Sequence, residues 1–257
     1  MLKLESMSIR YEDKSVVRDF SFEVLPGEVV SIIGPNGSGK STILKGITGL
    51  IPCESGQVFI GEEELRSLSI RDVSRLLSML SQANSSPTDM TVEELVTFGR
   101  MPHKKWYKQL DDEDYRIMEW ALQLTGMDRY RERLVYSLSG GEAQKAWLAM
   151  ALAQCPKILL LDEPTTYLDI AHQLDVLELV RTLNRELQLT VVMVLHDLNH
   201  ASTYSDKVCI VQQGNVRAYG PPQEVLTREL IREVYGVETD IEIKNNSNPR
   251  IHVLHKI

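Results

Sequence analysis

The chain has 257 residues, 43% of them apolar and 25% charged, with a formal net charge of −8. That length suffices for one domain, or a domain with an inserted lobe, around a sizeable core, and the acid excess argues against bulk attraction to nucleic acid or anionic lipid. Three cysteines, Cys53, Cys155 and Cys209, show no C-x-x-C spacing and read as reduced thiols of a cytosolic protein.

Residues 1–10 alternate polar and apolar, which predicts no signal peptide. No apolar run approaches the ~18 residues that a membrane span needs, so any membrane role must come through a partner. Leu2, Leu4 and residues 9–11, then residues 16–24, read as strands of an N-terminal antiparallel region. Residues 28–33 form a short apolar strand that runs into a glycine-rich turn, residues 41–49 a helix ended by Gly49 and Pro52, and residues 57–60 another strand. From about residue 85 the pattern turns helical. Thr91 and Glu94 make a capping box, and residues 111–124 form a helix with an acidic N-terminus and Gly126 at its end. Strand and helix alternate again at residues 158–161, 170–186, 190–195, 199–204 and 207–211. The pattern predicts a single α/β domain over residues 1–257 with a helical subdomain inserted at about 85–155. Gly214-Asn215 turns the chain, Pro221-Pro222 opens a helical segment, and Asn245 to Pro249 reads as the loop of a final hairpin.

Gly34-Pro35-Asn36-Gly37-Ser38-Gly39-Lys40-Ser41, followed by Thr42, matches G-x-x-x-x-G-K-[ST] between an apolar strand and a helix. Glycines let backbone N–H groups wrap phosphates without Cβ clashes, and the helix presents its positive end. Lys40 supplies a point charge for the β- and γ-phosphates, and the Ser41 hydroxyl suits Mg²⁺. These residues predict ATP and Mg²⁺ as ligands.

Leu138-Ser139-Gly140-Gly141-Glu142 opens a second helix about 100 residues later. An apolar strand then ends in Asp162 and Glu163, followed by Tyr167-Leu168-Asp169 and, after another strand, His196. With these motifs in this order, the chain resembles the ABC (ATP-binding cassette) ATPases over essentially its whole length. The resemblance implies a RecA-like P-loop core with an antiparallel β region and an inserted helical subdomain. It implies that Asp162 holds Mg²⁺, that Glu163 is the general base for the attacking water, and that His196 contacts the γ-phosphate. Gln82 resembles the glutamine that touches Mg²⁺ and water, and Tyr11 the aromatic residue that stacks on adenine. Ser139, Gly140, Gly141 and Glu142 would meet ATP held by a second copy, and Asp169 would belong to the D-loop. The implied partners are that second copy, integral-membrane permease subunits and, indirectly, a substrate-binding protein, with no nucleic acid. The implied location is the cytoplasmic face of the cell membrane.

Residues 162–173, 146–150, 91–96 with Gly99-Arg100, and 195–199 resemble the importers of ferric siderophores, which are related to those for haem and vitamin B12. None of these residues touches cargo, so the cargo stays open between a ferric siderophore or related chelate, haem, vitamin B12 and another solute. A non-transport ABC ATPase is the remaining alternative. It would carry a long coiled-coil insertion or a second cassette, and this chain has neither. Glu142 stands where the family usually has Gln, and Ala143 and Lys145 replace common arginines. Glu142 and Lys145 have the spacing of a helix-surface ion pair. The basic run His103-Lys104-Lys105 reads as a solvated loop, with contact to a membrane partner or lipid headgroups as the alternative.

Overall fold

The computed structural model describes residues 1–12, 14–82, 84, 87–105, 107–243 and 248–257. Ser85, near the expected start of the helical stretch, and Asn245, Asn246 and Ser247 of the expected hairpin loop lie outside them. The chain divides into two compact units, residues 1–67 with 190–257, and residues 68–189.

The first unit opens with β1 (Leu2–Tyr11) and β2 (Lys14–Val24), antiparallel, with Leu4 opposite Phe22. Alternation along both strands buries Leu2, Leu4, Met7 and Ile9 against Val17, Phe20 and Phe22. β3 (Val29–Ile33) is buried at every position and leads into α1 (Lys40–Ile47). β4 (Ser55–Ile60) pairs antiparallel with β1, and the short β5 (Glu63–Glu64) with β4.

In the second unit, α2 (Ile70–Leu76) is capped by Ser69 and runs straight into β6 (Leu77–Leu80). Then come α3 (Val92–Thr97), α4 (Asp112–Thr125) and α5 (Gly140–Ala153). The expected capping box is present at Thr91 and Glu94. A second one, Asp111 with Asp114, starts α4, which Gly126 ends at φ 69°. β7 (Ile158–Asp162) is fully buried and parallel to β6, and α6 (Ile170–Leu187) closes the unit.

The chain returns to the first unit with β8 (Thr190–Val194), α7 (Leu198–Tyr204) and β9 (Lys207–Gln212). β8 and β9 flank β3 in parallel, so apolar runs buried on both faces make this core. β10 (Asn215–Gly220) is antiparallel to β9. Two helices, α8 (Pro222–Val225) and α9 (Arg228–Tyr235), precede a hairpin of β11 (Val237–Glu242) and β12 (Arg250–Lys256).

The basic run departs from the expected solvated loop. His103 Nε2 meets the Gln154 carbonyl at 2.8 Å, and Lys104 Nζ binds Asp111 at 2.5 Å and also Asp114. The charge needed for contact with headgroups is therefore already engaged at Lys104.

Candidate functional site

The glycine-rich turn follows β3. A Cβ at Gly34 (φ 154°) would lie 2.0 Å from the Val211 carbonyl oxygen, so only glycine lets the chain leave β3 so close to β9. Lys40, 6% exposed, lays its side chain back across the loop and donates to the carbonyls of Gly34 (2.9 Å) and Pro35 (3.1 Å). The β9–β10 turn is seated on the same loop, because Gly214 N–H donates to Ser38 O at 2.9 Å. The sequence marked Gly214 only as a turn, and its contact with a segment about 175 residues earlier left no local signal.

The loop fits an anionic ligand. Gly37 (φ 75°) faces open space where a Cβ would stand, and the buried Ser38 hydroxyl has no hydrogen-bond partner among the described residues. Ser41 and Thr42 follow in the first turn of α1. Tyr11 ends β1, 43% exposed, opposite Lys14. His196 is exposed just after β8, and the next residue, Asp197, caps α7 by accepting from His200 N at 2.8 Å. His196 lines a cavity of about 290 Å³ whose other walls include Tyr235, Val237 and Val253 from the C-terminal segment.

The second unit carries the carboxylates. Asp162 ends the buried strand β7 and is itself 4% exposed. Glu163 adopts φ 56°, a left-handed conformation that costs a non-glycine residue energy and that concentrates at functional turns. Its Oε2 accepts from Gln82 Nε2 at 2.6 Å and from Thr166 Oγ1 at 3.0 Å. Gln82 and Glu163, chosen separately from sequence, thus meet directly. The sequence marks Thr166 only as part of the 162–173 segment, with no sign of this bond.

The signature segment is a helix start. Ser139 Oγ accepts from Glu142 N at 3.3 Å, and the Glu142 carboxylate accepts from Ser139 N at 2.9 Å. The expected Glu142–Lys145 pair is not formed. Glu142 is turned back to its own cap, and Lys145 reaches Asp175 at 3.4 Å on α6. The cap's hydrogen bonds, first from the Ser139 amide and then from the Tyr130 and Ser139 hydroxyls, hold the Glu142 carboxyl below its usual value. Glutamine can close the same box, which accounts for both residue types at this position.

Asp169, expected in the D-loop, caps α6, accepting from His172 N at 2.9 Å. Tyr167 beside it is left-handed (φ 65°) and almost fully exposed. Gln173 Nε2 donates to Leu168 O at 2.9 Å, which pins the loop. Asp169 is held ionised, its carboxyl lowered by the His172 amide and then by the His172 ring.

The sequence profile of a family described as ABC transporter matches residues 17–166. The petrobactin import ATP-binding protein FpuC of Bacillus anthracis is 44% identical over 241 residues, 94% of this chain and 89% of the relative. The iron(3+)-hydroxamate import ATP-binding protein FhuC of Bacillus subtilis is 41% identical over 247 residues, 96% of this chain and 92% of the relative. Among solved structures, an ABC transporter assigned to the metal-chelate type, in an inward-facing conformation, superposes with a TM-score of 0.86 at 26% identity, covering 99% of this chain and 97% of that one. A dimeric ATP-binding cassette in a post-hydrolysis state, with ADP and phosphate bound, gives 0.74 at 28% identity, covering 86% and 98%.

Proposed function

The chain belongs to the ABC transporter family and is one of its ATP-hydrolysing subunits, and we propose that it powers import of a ferric siderophore or related metal chelate through a membrane permease. The observation that carries the chemistry is Glu163, fixed by two donors at the end of a buried strand. A carboxylate so held is oriented to take a proton.

Each site residue then has a role. Lys40 and the amides of residues 34–42 hold the phosphates, and Tyr11 stacks on the adenine. The Ser41 hydroxyl, the Asp162 carboxylate and the Gln82 amide are hard oxygen donors of the kind Mg²⁺ prefers. When bound, the ion neutralises phosphate charge. Water attacks the γ-phosphorus, its proton passes to Glu163, and the bridging oxygen leaves with ADP. His196 contacts the γ-phosphate and positions the water. Ser139, Gly140, Gly141, Glu142 and Asp169 serve the nucleotide of a second copy, so that two chains enclose two MgATP. Residues 85–155 act as a helical subdomain, and the segment at Gln82 passes motion to the permease.

No helix among the described residues is long and apolar enough to cross a membrane. The likeness to import ATP-binding proteins supports placing the chain at the cytoplasmic face of the membrane, held by permease subunits that receive cargo from a substrate-binding protein. The cargo reading rests on relatives named for petrobactin and iron(3+)-hydroxamate import.

Replacing the base tests the chemistry. Glu163→Gln keeps shape but cannot take the proton, and should lower kcat by about 10²–10⁴ while ATP still binds. Normal turnover would remove Glu163 from its role. Deleting the chain should abolish ferric siderophore uptake, and Glu163→Gln should fail to restore it. Intact uptake of iron chelates beside loss of another solute would overturn the cargo assignment.

A further inference from the structure

The two glycines of the signature are in contact with the D-loop segment of the same chain. A Cβ on Gly140 would lie 3.1 Å from Leu168 Cδ2, and one on Gly141 would lie 2.2 Å from His172 Cδ2. The imidazole of His172 therefore packs edge-on against the bare backbone of α5, a position that only glycine at 141 allows. Its other side faces Asp169, with Nδ1 2.7 Å from Oδ1. An ionised carboxylate only accepts, so Nδ1 carries the hydrogen and donates it. About one turn further along α5, Lys145 pairs with Asp175 at 3.4 Å, so the contact between α5 and α6 continues past the glycines.

We propose that His172 is a positioning residue that locks the D-loop carboxylate of Asp169 to the signature helix, so that both segments move as one body. Nothing in the hydrolytic step needs this histidine directly. Its function is to keep the two surfaces offered to a second copy in fixed register. The inference rests on reading residues 138–142 and 167–169 as parts of a site completed by that copy.

The test uses the full-length chain carrying Glu163→Gln, with ATP-dependent dimerisation followed by sedimentation. That parent must dimerise with ATP. If it stays monomeric while binding ATP, the two-copy reading fails and takes this inference with it. Given a dimerising parent, adding His172→Ala should weaken the dimer about ten-fold, the usual consequence of losing a charge-assisted hydrogen bond. ATP binding to the monomer should stay within about two-fold, since the hydrogen bond removed belongs to Asp169 and not to the phosphate loop. His172→Asn, whose amide can donate from the Nδ1 position, should recover most of the dimer, whereas His172→Phe, which fills the space without donating, should not. In the chain with Glu163 intact, His172→Ala should lower kcat and leave the KM for ATP nearly unchanged. Should His172→Ala fold poorly, the contrast between Asn and Phe decides. Parental dimerisation in the Phe variant, or rescue by Phe and not by Asn, overturns the proposal.

Discussion

The two glycine-rich segments, residues 34–41 and 138–142, draw their rigidity from different sources. The first stands on a strand buried at every position, with its lysine bonded to two carbonyls of its own loop and Gly214 holding it from the β9–β10 turn. The second is the free end of a helix, capped by Ser139 and Glu142 and packed on His172. At the other end of that helix, Arg100 donates to the Ala153 carbonyl at 2.7 Å and to Asp114 at 2.9 Å, with the two side chains 6% and 2% exposed. The phosphate loop is thus fixed by backbone on an apolar sheet and by its own lysine, and the signature helix by side-chain contacts at both ends. A segment held by side chains can be loosened without disturbing the other.

Asp114→Ala should separate the two most strongly. Removing one partner of a buried ion pair leaves the buried Arg100 without its carboxylate and Lys104 with Asp111 alone, and should cost about 3–5 kcal/mol in a denaturant titration. ATP binding to the surviving folded monomer should change little. The pair also sets a pH dependence. Burial alone would push the Asp114 carboxyl up, but hydrogen bonds from Lys104, the Asp111 amide and Arg100 outweigh it and hold the group well below the usual carboxylate range. Its contribution is therefore complete above the unfolded value near pH ~4 and is lost as pH falls towards the folded one. Asp114→Asn should flatten the acid limb of the stability profile.

Lys40→Ala is the opposite probe and comes next in size. Loss of a charge-assisted contact to phosphate, about 1.5–3 kcal/mol, should weaken ATP binding by one to two decades. Calorimetry of the monomer reads it directly, and the signature helix should keep its stability. Unchanged affinity would mean that Lys40 serves only its own loop.

Local chemistry made most of this fold legible. β3 with its glycine turn, the capping boxes' Thr91 and Asp111, and Gly126 are all signals carried within a few residues. β10 escaped, since Asn215 to Gly220 has little alternation and is a strand only because β9 lies beside it. So did α2, a seven-residue helix whose Ser69 cap precedes only one buried apolar residue, Val73. Within the site, motif order identified the residues but not their partners. Gln82 with Glu163, Lys145 with Asp175 and Arg100 with Ala153 are pairs separated by 30 to 81 positions. Spacing rules reach one helical turn, so they point Lys145 to Glu142 and cannot see Asp175, 30 positions on.

Glu142→Gln should produce the smallest effect. Gln still closes the capping box, so stability should move by no more than about 0.5 kcal/mol. The lost charge should tighten an ATP-bound dimer slightly at low salt, and the gain should fade at high salt. Equal dimer affinity at both salt concentrations would show that the carboxylate acts only as a cap.

In the proposed dimer the signature segment of one chain serves the nucleotide held by the phosphate loop of another. Mixing two inactive chains tests it, one carrying Lys40→Ala and the other Gly141→Asp. In a symmetric dimer each mixed pair has one site with both defects and one with neither. Random pairing should then restore about a quarter of the native ATPase rate, since half the dimers are mixed and each has one sound site. A mixture as inactive as its components would contradict the account.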